Sequence, residues 1–201
     1  MYQPKQRHKN MSVDMAAMCD IAFLLLVFFI LSAKPKVWLP VNVSLPGTKQ
    51  SSIRDLDAGY AEISIGEGKV FFSMPGKDTR KQALSKMAER YNLIFSTKEL
   101  QQFAGIDVVG LPIASLKTYI DNYYNNKAYF NQTGIPINAN NHELENWINE
   151  AQTAYKNLYD RDLGFMIRGD DSLQYPEIKT IMNILQSQII NKFMLATNLK
   201  H

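Results

Sequence analysis

The sequence predicts an α+β protein in three parts: a single N-terminal transmembrane helix, an extended linker, and a small sheet-plus-helices domain with a helical insertion. Three observations predict it. From Ile21 to Leu31 no polar residue interrupts an apolar run. The stretch after it, "KPKVWLPVNVSLPGTKQS", carries Pro35, Pro40 and Pro46. Beyond that, short alternating runs give way to helical spacings and then to a strand, helix, strand order, as in a water-soluble mixed domain. Within a chain of 201 residues, the last part is long enough to bury its own core.

The first element is "MAAMCDIAFLLLVFFILSA", Met15 to Ala33. At about 1.5 Å per residue it is close to the length that crosses a bilayer. The parts expected are a tail over 1–12, a span over 13–33, a linker over 34–57 and a folded domain over 58–201. A basic segment before an apolar run also describes a cleavable signal peptide. Against that, Leu31 is too large for the position three before a cut after Ala33, and Cys19 precedes the apolar core where a lipoprotein cysteine would follow it. Lys5, Arg7 and Lys9 flank one end and Lys34 and Lys36 the other, so the positive-inside bias modestly favours a cytoplasmic N-terminus and a domain outside the cytoplasm. The lone cysteine, Cys19, lies in the apolar segment, so the domain cannot hold a disulfide.

Asp20 is the anomaly in this element. Near the centre of a spanning helix an Asp costs roughly 2.5–3.5 kcal/mol, so such residues face a protein partner or a water-filled path. Two roles stand open on the residues alone. Asp20 either carries a proton across the membrane or, lying less than two turns from Met15, pairs with a lysine of the tail at the interface.

In the linker each proline removes a backbone donor and pushes its predecessor toward extended geometry. Val37, Leu39, Val41, Val43 and Leu45 alternate with other residues, which suits an extended spacer or a docking strand. The domain opens with two alternating runs, Ala61 to Ile65 and Lys69 to Ser73, joined by Gly66-Glu67-Gly68, which reads as a hairpin. Asp78 to Leu93 has Ala83, Leu84, Met87, Ala88 and Tyr91 at helical spacing. Ser96 or Thr97 caps a short helix through Phe103. "LPIASLKTYIDNYY" places Ile113, Leu116, Tyr119, Ile120 and Tyr123 on one helical face, and Asn125 to Asn141 reads as a loop. A helix from Glu143 to Leu158 leads to the strand "LGFMIRGDD", and a helix from Tyr175 to Ile190 to the strand "KFMLATNL".

Several function classes find no support. A net charge of +3 with no basic stripe argues against nucleic acid. His8, His142 and His201 are scattered, so no metal site is expected. No Lys-Ser/Thr follows the paired glycines, so they are turn residues and not a phosphate loop. A hydrolase would need an elbow motif with a base, and none is legible; the chain is expected not to be an enzyme. The "RGD" at Arg168 to Asp170 lies where a strand ends and is read as incidental to adhesion.

"SVDMAAMCDIAFLLLVFFILSA", "VNVSLP" and "LGFMIRGDDSLQYPEIKTIMNILQSQIINKFMLAT" together resemble the ExbD/TolR family of biopolymer transport proteins. The matching positions are Asp20, Leu45-Pro46, Arg168, Asp170 and Tyr175. Two departures accompany the match: the family's Thr-Pro before the aspartate is Ala16-Ala17 here, and about 78–141 is extra relative to the compact family domain. The resemblance implies Asp20 as the proton-carrying residue, with protons as coupling ion and no cofactor. On the residues themselves, the small face of Ala16 and Ala17, with Leu24 and Val27, suits helix packing beside Asp20, and the alternation through Val41, Val43 and Leu45 to Pro46 suits a partner-binding linker, of which Leu45-Pro46 also matches the family. Arg168, Asp170 and Tyr175 become structural motif residues. The implied partners are an ExbB-like multispan ring, a TonB-like protein and a second copy of the chain, at a bacterial inner membrane with the domain in the periplasm. A TolR-like envelope-maintenance or gliding-type motor is the alternative within the family; a membrane-anchored periplasmic binding or structural protein is the alternative outside it. Tyr119, Tyr123, Tyr124 and Tyr129 are expected to form an aromatic cluster of the kind enriched at interfaces, with half of it as an alternative serving as the insertion's own core.

Overall fold

The computed structural model describes residues 15–32, 59–126, 132–137, 141–169 and 175–196. It divides into two compact units, 1–36 and 37–201. In the first, α1 (Met15–Ser32) is a helix of 18 residues with none buried. It is apolar on every side except at Asp20, and a helix of that kind has no soluble core to join. Its length of about 27 Å is long and apolar enough to cross a membrane.

The second unit is built on a five-stranded mixed sheet of order β3-β2-β1-β4-β5. Its strands are β1 (Tyr60–Gly66), β2 (Lys69–Ser73), β3 (Val108–Val109), β4 (Gly164–Gly169) and β5 (Met194–Ala196). The helices are α2 (Lys77–Arg90), α3 (Thr97–Ala104), α4 (Ile113–Asn126), α5 (Glu143–Tyr159) and α6 (Tyr175–Ser187). β1 and β2 form the expected hairpin, with Ile63 opposite Phe72. Its two-residue turn puts Glu67 and Gly68 at positive φ, the backbone that continues the twist of the flanking strands. β4 runs parallel to β1 with Ile63 opposite Ile167, and β5 parallel to β4 with Ile167 opposite Leu195. Parallel neighbours need a crossover, and α6 supplies it between β4 and β5.

Strand alternation sends Ala61, Ile63, Ile65, Val70, Phe72, Phe165 and Ile167 to one face of the sheet. They join one core with Leu84 and Met87 of α2, Phe103 of α3, Leu116 and Ile120 of α4, Trp147 and Ile148 of α5, and Ile181 and Leu185 of α6. The extra segment is therefore part of the domain's core. Phe103 stacks on Trp147 with ring centroids 5.9 Å apart.

The structure departs from expectation at element ends and in the insertion. The helix expected to Leu93 stops at Arg90, because Asn92 turns left-handed (φ 53) and the Leu93 amide donates back to the Ala88 carbonyl. The helix expected to Ile190 stops at Ser187: Ile189 takes φ 65 and the Ile190 amide donates to Leu185. Within the last expected strand, Met194–Ala196 pair, and 197–200 lie outside the described residues. β3 was not expected at all. Tyr119 is buried and Tyr123 packs against the core 5.7 Å from it, so this pair serves the domain's interior and not a free surface; Tyr129 and the Tyr124 side chain lie outside what is described.

Candidate functional site

Asp20 sits five residues into α1, about 7–8 Å along the axis from Met15. Ala16 and Ala17 lie one turn before it, Leu24 one turn after, and Val27 two turns after, so helical geometry brings all five to one face. Asp20, Ala16, Ala17 and Leu24 are exposed and Val27 is half-exposed. Asp20 is the one charged side chain of α1. Carboxylates are among the side chains from which intramembrane proton relays are made, but one helix cannot enclose a polar path in lipid. The two alanines leave room beside the carboxylate for close approach of another helix.

The second unit has a polar cluster of its own. Arg168, near the end of β4, is 1% exposed and donates through Nη2 to Glu62 Oε2 of β1 at 2.9 Å. Ser64 Oγ donates to the other Glu62 oxygen at 2.8 Å. The parallel register places Arg168 beside Ser64, and strand alternation puts all three residues on the sheet face opposite the helical core. Burial pushes the Glu62 carboxyl up from its ordinary value, against the Arg168 guanidinium and the Ser64 hydroxyl, which pull it down. Arg168 Nε is buried with no hydrogen-bond partner. The family resemblance marks Arg168 but not Glu62. The missed signal was an acid on the face of β1 that Ile63 and Ile65 avoid.

The remaining expected positions are placed as follows. Tyr175 opens α6; Asp170 and the linker positions Val41, Val43, Leu45 and Pro46 lie outside the described residues. Among the described residues no three His, Cys, Asp or Glu side chains gather as metal ligands. An open cleft of about 620 Å³ at the N-terminal ends of β1, β4 and β5 is lined by Tyr60, Gln152, Asp162 and Lys192 among others, with no nucleophile beside a base.

An N-terminal helix long and apolar enough to cross a membrane, followed by a small mixed-sheet domain, fits the class of membrane-anchored α+β proteins. A family model described as "Biopolymer transport protein ExbD/TolR" matches residues 6–200. The chain belongs to the ExbD/TolR family, a non-enzymatic family of transport energisers, and its N-terminal helix fits a single-pass inner-membrane protein. No match was found among curated proteins or among solved structures.

Proposed function

We propose that this chain is the ExbD-like, ion-coupling subunit of a motor driven by the proton motive force. Asp20 takes up and releases the proton. An ExbB-like multispan ring encloses its helix together with that of a second copy, and a TonB-like protein receives the resulting motion for transport across the outer membrane. The N-terminus is cytoplasmic and the domain periplasmic, in keeping with Lys5, Arg7 and Lys9 ahead of α1. The observation that carries this reading is Asp20 itself: one carboxylate on an otherwise apolar helix, with small residues beside it, in a chain of this family. The energetics are adequate. Each elementary charge crossing the membrane releases about 2.3 kcal/mol per 100 mV, enough for one or two protons to bias a two-state movement.

Asp20→Asn keeps size and hydrogen-bonding capacity and removes the titratable proton. The variant is expected to insert and assemble as the wild type does and to lose proton flux in the complex reconstituted with its ring partner. Asp20→Glu is expected to retain part of it. Undiminished flux in Asp20→Asn at matched protein levels overturns the proton-carrying role, and activity that tracks abundance alone assigns Asp20 to an interfacial ion pair.

A further inference from the structure

The insertion treats the two edges of the sheet differently. Along β2, Phe72 and Ser73 pair with Val109 and Val108. The Ser73 hydroxyl donates to the Asp107 carbonyl at 2.6 Å. Farther along the same edge, the Ile135 amide donates to the Val70 carbonyl at 2.8 Å. These two stretches are also tied to each other: the Gly134 amide donates to the Gly110 carbonyl at 2.7 Å, and Gln132 Nε2 reaches the Val108 carbonyl at 3.2 Å and the Tyr119 hydroxyl at 2.8 Å. Two glycines permit the approach. A Cβ on Gly134, which has φ +91, would lie 3.0 Å from Lys69 Cβ and 3.1 Å from Lys69 Cα, and one on Gly110 would collide with the Phe71 ring.

The opposite edge has no such cover among the described residues. β5 is Met-Leu-Ala, without a charge or a proline, and Met194 and Leu195 are 40% and 50% exposed. An uncharged open edge is a template for another strand. A domain with one such edge pairs with a second copy and is then closed, whereas a domain with two can add copies without limit.

We propose that the insertion is a built-in edge guard: residues 107–110 and 132–135 occupy β2 and so restrict sheet pairing between copies of this chain to the β5 edge. Two stretches share the task, since the β3 ladder reaches only Phe72 and Ser73 and residues 132–135 take up Val70.

The test uses the full chain in detergent. Gly134→Val and Gly110→Val each force the guard off β2, and each is expected to raise the molar mass measured by light scattering at least about twofold over the wild type, because a second edge is then open. Leu195→Lys is expected to reduce self-association in the wild-type background, and in the Gly134→Val background to cut it back to a closed pair, because one edge is then left open. Hydrogen exchange on the wild type is the second measurement, independent of whether the variants fold. The Gly134 and Ile135 amides are expected to be protected to the same degree as the β1–β2 ladder. Folded variants no larger than the wild type, or Gly134 and Ile135 amides exchanging at the rate of an unstructured chain, overturn the proposal.

Discussion

Glu62 and Arg168 are almost fully buried on neighbouring strands, so the charge on either is tolerable only in the presence of the other. Replacing Arg168 with Leu leaves an uncompensated carboxylate and is expected to cost about 3–5 kcal/mol in denaturant unfolding. The pH dependence follows from the direction of the shift. Because burial raises the Glu62 pKa above 4.5, the folded domain holds a proton that the unfolded chain has already lost in the window between the two values. Stability from this group is therefore present below that window and falls as pH rises through it. Glu62→Gln is expected to flatten this part of the stability profile, followed as unfolding midpoints from about pH 4 to about pH 8. Arg168 was legible through the resemblance to the family pattern. Its partner was not, because the pairing depends on a parallel register between β1 and β4 that no local pattern encodes.

At the scale of elements, local chemistry was the most legible part. Ser96 caps α3 in a reciprocal box: the Glu99 amide donates to Ser96 Oγ at 3.2 Å, and the Ser96 amide donates to Glu99 Oε2 at 2.6 Å. Ser96→Ala is expected to lower stability by about 1 kcal/mol, read from the thermal midpoint. The same bonds hold the Glu99 carboxyl below its ordinary range, so its contribution is present at neutral pH and disappears as pH falls through the lowered value. Phe103, on the buried face of α3, stacks on Trp147, and Phe103→Ala is expected to cost about 3–5 kcal/mol in denaturant titration. The helical periods that announced α2, α4, α5 and α6 hold because each has a continuous apolar stripe facing the same sheet. β3 escaped detection because two residues cannot display a period, and the 132–137 stretch because its bonds to β2 join segments far apart in sequence.

For the whole molecule, the insertion supplies Leu84, Phe103, Leu116 and Ile120 to the common core. Deleting 78–141 is expected to abolish the cooperative unfolding transition, because Trp147 and Leu144 would then face water; retention of a cooperative transition would assign the insertion to the periphery. That the segment 78–141 is largely helical was visible from helical spacing. Its fusion with the sheet was not, since it rests on contacts between α2 and α5 and between β2 and β3. The parallel pairing of β1 with β4 has a further consequence, in time. Tyr60 and Gly164 are neighbours in the sheet although more than a hundred residues separate them in sequence. Lengthening that connection two- to threefold costs only about 0.6–1 kcal/mol of closure entropy, but non-local pairing of this kind lowers folding rates. A chain delivered from its N-terminus has its hairpin and α2 to α4 in place before their central partner exists. Refolding is expected to be limited by the search of β1 for β4. During biogenesis the β1 edge must stay unpaired until residues 164–169 arrive, which makes this interval the one in which the protein is most exposed to aggregation and proteolysis.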